Sequence, residues 1–302
     1  MLPFERVAII GLGLIGSSIA RAVRETMPTV RITGHDSSAV VREAARTLDF
    51  CDDVTETPGA AVIDADLVIL CVPVGAMGDV ATSLAQDLPV EAIVSDVGSS
   101  KAGVAEALAK ALPHNAIVPA HPVAGTERSG PEAGFASLFH QRWCILTPGP
   151  DTPEAAVLRI TEFWKRLGSN VETMDAAHHD LVLAITSHLP HLIAYTIVGT
   201  ASDLEKVTQS EVIKYSAGGF RDFTRIAASD PTMWRDVFLS NKDAVLEMLQ
   251  RFSEDLTALQ RAIRWDDGDA LFELFTRTRA VRRSIIEQGQ DDARPDFGRS
   301  DH

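Results

Sequence analysis

The stretch that decides the fold is residues 6–36, RVAIIGLGLIGSSIARAVRETMPTVRITGHD. A short apolar run at residues 6–10 is typical of a strand buried on both faces, and it leads directly into a glycine motif at residues 11–16, GLGLIG. Helical spacing follows, and a second strand-like run ends at Asp36. A glycine motif between a strand and a helix, with an acid after the next strand, indicates a dinucleotide-binding unit.

The residue types in this unit each have an expected role. Gly11 permits the tight turn, Gly13 lets the backbone approach a pyrophosphate, and Gly16 lets the helix pack against the strand. The pyrophosphate would lie at the helix N-terminus, where free amides favour negative charge. Asp36 would bind the adenosine ribose and repel a 2′-phosphate, so the sequence predicts NAD rather than NADP. The predicted cofactor-binding residues are Gly11, Gly13, Leu14, Ile15, Gly16, Asp36, Val72 and Pro73.

The alternation of strand and helix continues through the first half of the chain. Strand-like runs at residues 67–72, 92–96 and 116–121 are separated by helical stretches. This order predicts a Rossmann-type, doubly wound parallel sheet of the α/β class. From about residue 176 the pattern predicts only long helices. We therefore expect a dinucleotide-binding domain at 1–175, an all-α domain at 176–288 and a disordered tail at 289–302.

The composition excludes several classes of function. A net charge of −14 disfavours binding to nucleic acid or to an anionic membrane surface. The longest nearly uninterrupted apolar run, residues 67–74, is much shorter than the roughly twenty residues of a membrane-spanning helix. The chain has three cysteines and no CxxC pair, so neither a disulfide framework nor a metal site is expected. These features predict a soluble cytoplasmic protein.

One histidine is placed to act as a base. Oxidation of an alcohol requires a base that takes the hydroxyl proton, and ligands of doubly wound sheets lie beyond the carboxyl ends of the strands. His121 closes the run at 116–121, so we expect it at this edge. Ser99 follows the neighbouring strand, and its hydroxyl could orient the histidine or the substrate oxygen.

Five segments together resemble the prephenate dehydrogenase family, which includes the arogenate and cyclohexadienyl dehydrogenases. They are GLGLIG (11–16), DVGSSK (96–101), HPVAGTE (121–127), SHLPH (187–191) and GGFRDFTRIAASDPTMWRDVF (218–238). The resemblance covers about residues 5–290. It implies NAD-dependent oxidative decarboxylation of prephenate to 4-hydroxyphenylpyruvate, or of arogenate to tyrosine, in tyrosine biosynthesis. It also implies a homodimer built through the helical domain, which would bind the substrate.

The resemblance also implies roles for single residues. His121 matches the family's catalytic histidine, which accepts the proton of the ring 4-hydroxyl, and Ser99 matches the serine that helps to hold that hydroxyl. Arg225 matches the arginine that binds the ring carboxylate. The other residues matched to the substrate site are Ser187, His188, His191, Arg221 and Glu127. Ser100 departs from the family pattern, in which valine or threonine is expected.

Some alternatives stay open at this point. Another β-hydroxyacid-type dehydrogenase would use a lysine on a helix as its catalytic group, and a non-catalytic NAD-sensing module would bind the cofactor without turnover. Arg221 could pair with a carboxylate on a helix surface instead of binding substrate. We expect His178 and His179 to be domain-junction residues without chemistry, and Trp234 to be a packing residue.

Overall fold

The computed structural model describes residues 2–126, 128–208, 214 and 217–287. Glu127 and the predicted tail at 289–302 lie outside the described residues. The chain divides into two compact units, residues 1–246 and 247–302. Each unit is described by itself.

Six parallel strands form the main sheet of the first unit. They are β1 (Arg6–Ile10), β2 (Arg31–His35), β3 (Asp53–Val54), β4 (Leu67–Leu70), β5 (Ile93–Asp96) and β6 (Ala116–Ile117). Their order is β3-β2-β1-β4-β5-β6, so the direction of winding reverses between β1 and β4. This confirms the predicted doubly wound sheet and creates the crevice in which such sheets bind ligands.

Helices cover both faces of the sheet. They are α1 (Leu14–Thr26), α2 (Ala39–Leu48), α3 (Pro58–Val62), α4 (Met77–Leu84), α5 (Ala102–Ala111) and α6 (Glu154–Arg166). Ile9 of β1 belongs to an apolar cluster on one face, and its neighbour Ile10 belongs to a second cluster on the other. Because alternate residues of one strand are buried on opposite faces, β1 reads as an unbroken apolar run.

The predicted strand at 116–121 is two strands, which corrects the expected position of His121. After β6 the chain leaves the parallel sheet and enters a second sheet of β7 (Ala120–Pro122), β8 (Trp143–Leu146) and β9 (Asn170–Thr173). Pro119 has no N–H to continue the parallel ladder, and its carbonyl accepts from Thr147 N–H at 2.9 Å. His121 therefore lies in β7, paired antiparallel with Ile145 of β8.

From residue 176 onward the described residues contain helices and no strand, as predicted. The α-helices are α7 (Ala176–Leu183), α8 (Leu189–Thr208), α9 (Gly218–Thr224), α10 (Pro231–Ser240), α11 (Lys242–Arg264) and α12 (Gly268–Glu287). α8 continues without a break through residue 203. A helical turn at Arg225–Ala228 follows α9 directly.

A π-helical turn, Ala184–His188, joins α7 to α8. Pro190 has no N–H for the carbonyl four residues before it, and a wider turn relieves this conflict. Within the helical segment Ala176–Leu204, an 18-residue window has a mean hydropathy of 1.6, so by length and composition alone the segment could cross a membrane. It is longer than the apolar run at residues 67–74, on which the sequence prediction was based. Polar side chains interrupt the segment, and three of them, at His179, Asp180 and His188, are buried.

The second unit contains the remainder of α11 and all of α12. Its surface carries ion pairs at helical spacing, such as Arg251 with Glu247 at 2.8 Å. It also carries large apolar side chains that this unit leaves exposed, including Phe272, Phe275 and Val281 of α12. An exposed apolar stripe of this kind is typical of a helix that packs against a partner.

Candidate active site

The glycine loop lies at the carboxyl end of β1, where the strand order reverses. Gly11 has a left-handed φ of 99°, and its N–H donates to the His35 carbonyl at 2.8 Å. A side chain at Gly11 would overlap the carbonyl oxygen of Cys71, and one at Gly16 would overlap the carbonyl oxygen of Gly11. Only glycine therefore fits these two positions.

Gly13 differs from the other two glycines, because no atom lies within 4 Å of where its side chain would begin. α1 starts at the next residue, without a side-chain cap and without an acidic residue in its first turn. The N–H groups at this helix end thus lie beside open space and suit a phosphate. A dinucleotide pyrophosphate fits this cradle, and Leu14 and Ile15 are half-buried beside it.

The carboxylate of Asp36 is held next to this loop. One of its oxygens accepts from Leu12 N–H and the other from Ser38 N–H, both at 2.9 Å. Arg42 donates to the Asp36 carbonyl at 2.9 Å and pairs with Glu56 at 2.6 Å, so its charge is already compensated. An acidic group without an unpaired cation beside it favours a ribose with free hydroxyls over one that carries a phosphate.

The loop after β4 brings the nucleotide crevice next to α10. Val72 is half-buried and Pro73 is exposed at the start of this loop. A side chain added at Gly75 would approach the carboxylate of Asp236 in α10 to 3.0 Å. The helical part of the first unit therefore borders the crevice predicted to hold the cofactor.

The predicted base is one of three buried side chains that are joined in a row by hydrogen bonds. His121 Nδ1 lies 2.8 Å from His179 Nε2, and His179 Nδ1 lies 2.8 Å from Asp180 Oδ1. Asp180 also caps α5, since its carboxylate accepts from the N–H groups of Lys101 at 2.7 Å and Ala102 at 2.9 Å. The sequence analysis assigned no chemistry to His179, whereas the structure places its ring against His121; His178 is exposed.

The environment of His121 keeps its imidazole neutral. Burial lowers the pKa of His121 well below 6.5, and electrostatic interactions with His179, Lys101 and His188 lower it further. Among the described residues, none hydrogen-bonds Nε2 of His121, whereas Nδ1 is occupied. A neutral imidazole with one available nitrogen is what a general base requires.

A buried ion pair fixes the loop that carries Ser99. Lys101 Nζ donates to the carboxylate of Asp96 at the end of β5 and to the carbonyl of Ala120, next to His121, at 2.7 Å. Burial lowers the pKa of Lys101, although Asp96 opposes this shift. Lys101 thus ties the half-buried Ser99 loop to β7 and is itself fully engaged. This arrangement does not favour a free catalytic lysine, as the β-hydroxyacid-type alternative would need.

The SHLPH segment meets α10 and the turn after α9. His191 stacks on Trp234 with ring centroids 3.6 Å apart, and its Nδ1 lies 2.9 Å from the Ser187 carbonyl. Burial lowers the pKa of His191, and the positive charge of Arg225 lowers it further. Trp234 is buried, as expected of a packing residue, and its ring stacks on a predicted substrate ligand. Arg221 is exposed and forms no ion pair with any residue that the structure describes.

His188 lies on the inner side of the same segment. Asn241 Nδ2 lies 3.1 Å from His188 Nδ1 and donates to the Asp180 carbonyl at 2.7 Å. Burial lowers the pKa of His188 to about 4, so this imidazole is also neutral near pH 7. Ser100, the departure from the family pattern, hydrogen-bonds Ser240 of α10 through its hydroxyl at 2.9 Å.

The sequence reasoning located His121 but missed its supports. His179 and Asp180 lie 58 and 59 positions away, and no local motif marks the pairing; a histidine–aspartate pair at the start of an apolar helix is the one available signal. Asn241 was missed for the same reason. Within the described ranges, no group of three histidine, cysteine or carboxylate side chains is arranged to hold a metal ion.

Two family models match the chain. Residues 19–173 match the nucleotide-binding domain of prephenate dehydrogenase, and residues 175–277 match the prephenate dehydrogenase dimerization domain. A cyclohexadienyl dehydrogenase of Zymomonas mobilis is 48% identical over 94% of this chain and 97% of its own length.

Two solved structures are also similar. Prephenate dehydrogenase from Aquifex aeolicus, in complex with hydroxyphenyl propionate and NAD+, superposes with a TM-score of 0.88 at 34% identity, over 93% of this chain and 98% of that one. Arogenate dehydrogenase from Synechocystis has a TM-score of 0.77 at 25% identity, over 93% of this chain and 99% of that one.

Proposed function

This chain belongs to the prephenate dehydrogenase family, and from that premise we propose that it oxidises and decarboxylates prephenate to 4-hydroxyphenylpyruvate with NAD. The observation that carries the proposal is the pairing, within one compact unit, of a phosphate cradle with a buried neutral His121. Nε2 of that histidine has no partner among the described residues. Bound NAD supplies the hydride acceptor.

Residues of the chain accept the proton and position the substrate. His121 accepts the proton of the ring hydroxyl at Nε2 while hydride leaves C4 of the ring, and Ser99 helps to hold that oxygen. Loss of carbon dioxide then restores the aromatic ring. The ring oxygen takes the proton back from His121, so the base is regenerated without a further catalytic acid.

Prephenate is a dianion, and a protein of net charge −14 needs local cations to bind it. Arg225 supplies one, since its guanidinium is close enough to act on His191 and can bind a carboxylate in bidentate fashion. Arg221, four residues earlier, adds a second positive charge. Ser187, His188 and His191 complete the substrate side of the proposed site; Glu127 stays a prediction from the sequence.

Arogenate is the second candidate substrate, and the position of the proton on His191 supports it. A carbonyl only accepts hydrogen bonds, so the contact with Ser187 requires a proton on His191 Nδ1. Nε2 of the neutral ring is then an acceptor, which suits the ammonium group of arogenate. The 48% identity to a cyclohexadienyl dehydrogenase agrees with a dual substrate range.

We further propose a homodimer that works in the cytoplasm. The match to a dimerization domain supports it, as do the apolar side chains Leu181, Ile185, Ile197 and Val198, which the first unit leaves exposed along α7, the π-helical turn and α8. A second copy of the chain would cover part of this surface.

The proposal is tested by rates measured side by side with prephenate and arogenate, each with NAD and with NADP. We expect NADH formation with prephenate and a much lower rate with NADP. A folded protein that binds NAD but forms no NADH with either substrate would overturn the proposal. Activity with arogenate and none with prephenate would mean that arogenate, and not prephenate, is the substrate.

A further inference from the structure

The His121–His179–Asp180 chain fixes where the protons of both imidazoles lie. Asp180 accepts two backbone N–H groups. Burial raises its pKa, but the hydrogen bonds from His179 and from these amides outweigh burial and lower the pKa, so Asp180 is an acceptor-only carboxylate. His179 must therefore carry its proton on Nδ1, which faces that carboxylate.

With its hydrogen on Nδ1, the ring of His179 directs the lone pair of Nε2 toward His121, and this nitrogen accepts. His121 Nδ1 lies 2.8 Å from it and must supply the hydrogen. Consequently Nε2 of His121 carries the lone pair. Both histidines are nearly inaccessible to solvent, so water cannot substitute for either partner.

We infer that His179 and Asp180 are positioning residues that hold His121 in its Nδ1–H tautomer and so direct the basic Nε2 to the substrate hydroxyl. This inference rests on the proposed function. In a ring without such a partner the tautomer with hydrogen on Nε2 would compete, and that form has no lone pair where the proton must arrive.

The same chain stabilises the state after proton transfer. The O–H bond of the substrate breaks, its proton joins His121 Nε2, and the electron pair of the C4–H bond leaves to NAD as hydride while the C4–O double bond forms. The resulting imidazolium donates from Nδ1 to His179, and the negative charge of Asp180 lies one ring further on. The free-energy cost of burying a cation is lower when a nearby negative charge compensates it in this way.

His188 does not serve as an alternative base. Its Nδ1 faces the amide nitrogen of Asn241, which donates, so this lone pair is already used and the ring hydrogen lies on Nε2. His121 and His188 thus carry their protons on opposite nitrogens, and of these two only His121 presents a basic Nε2.

The direct test is the tautomer of His121 in the full-length protein labelled with ¹⁵N-histidine, read by ¹⁵N NMR near pH 7.5. We expect Nδ1–H for His121 in the wild type. In His179→Phe, which removes the acceptor, we expect a shift to Nε2–H, whereas His178→Phe changes the exposed neighbouring histidine and should leave the His121 signal unchanged. An Nε2–H signal for His121 in the wild type would overturn the inference, whether or not the variants fold.

Kinetics give the second readout. His179→Phe should lower kcat by roughly 10²-fold, within the range of general acid–base groups, with little change in KM. His179→Gln retains an acceptor oxygen and should recover at least about a tenth of the wild-type kcat. Unchanged kcat in His179→Phe would contradict the positioning role, whereas a wild type inactive on both substrates would contradict the proposed function and leave the NMR result to decide the tautomer.

Discussion

At the scale of single residues, the proposed reaction depends on the unprotonated Nε2 of His121 and on the positive charge of Arg225. His121 could be predicted from the sequence because it ends an apolar run and precedes a loop with proline and glycine. Its partners could not be predicted, because a hydrogen bond across 58 positions leaves no local pattern. Asp36 and the glycines were predicted with their surroundings, because all of them lie within one βαβ unit.

Replacement of His121 tests the base directly. His121→Asn keeps a polar side chain but has no group that can take the proton, so kcat should fall by roughly 10²–10⁴-fold. NAD binding, followed by fluorescence quenching, should be unchanged because the glycine loop is intact. A rise in KM with kcat preserved would make His121 a binding residue instead.

Replacement of Arg225 tests the substrate cation. Arg225→Ala should raise the KM for prephenate severely, because a carboxylate loses its guanidinium partner, while the affinity for NAD stays nearly constant. Arg251→Ala, which removes a surface arginine paired with Glu247, is the matched control and should behave as wild type. Equal weakening of substrate and NAD binding in Arg225→Ala would speak against the assigned role.

At the scale of elements, periodicity predicted the parallel sheet and the long helices but not the residues at which strands and helices begin and end. The predicted strand at 116–121 was too long because its apolar residues continue through Pro119. This proline interrupts the hydrogen-bond ladder of the parallel sheet. Periodicity did not predict the π-helical turn at Ala184–His188. Its register places His188 against Asn241 and His191 on Trp234, and these contacts follow from tertiary packing.

The three glycines of the loop allow an element-scale prediction. Gly13→Ala should fold with little change in Tm, because its new methyl group meets no atom within 4 Å, yet it should weaken NAD binding by intruding on the phosphate cradle. Gly16→Ala should lower Tm markedly, because its methyl group would overlap backbone. Thermal melts with and without NAD measure both effects. If Gly13→Ala binds NAD normally, the pyrophosphate does not lie there.

At the scale of the whole molecule, the charge of −14 describes the surface and not the site. It argues against polyanionic partners, yet the proposed substrate is a dianion and its binding depends on the local cation Arg225. The division into compact units at residues 246 and 247 differs from the sequence-predicted boundary at 175, which stays a prediction. One reason is that Asp180 of α7 caps α5 and that α10 contacts the loops after β4 and β5. A composition change along the chain does not reveal such packing.

The buried neutral histidines predict how stability depends on pH. The pKa of His188 falls from 6.5 to about 4 on folding, and that of His121 falls as well, so the unfolded chain binds more protons in this range. Stability should therefore be fully present above about pH 6.5 and decrease as the pH falls toward 4. Tm measured between pH 7.5 and 4.5 checks this. His121→Asn should show a shallower decline, and an identical slope would contradict the account.

The central claim is tested most directly by product analysis with the purified wild-type protein, prephenate and NAD. We predict that NADH, carbon dioxide and 4-hydroxyphenylpyruvate form in equal amounts, since hydride loss and decarboxylation are coupled on one ring. NADH without carbon dioxide, or carbon dioxide and an aromatic product without NADH, would contradict it.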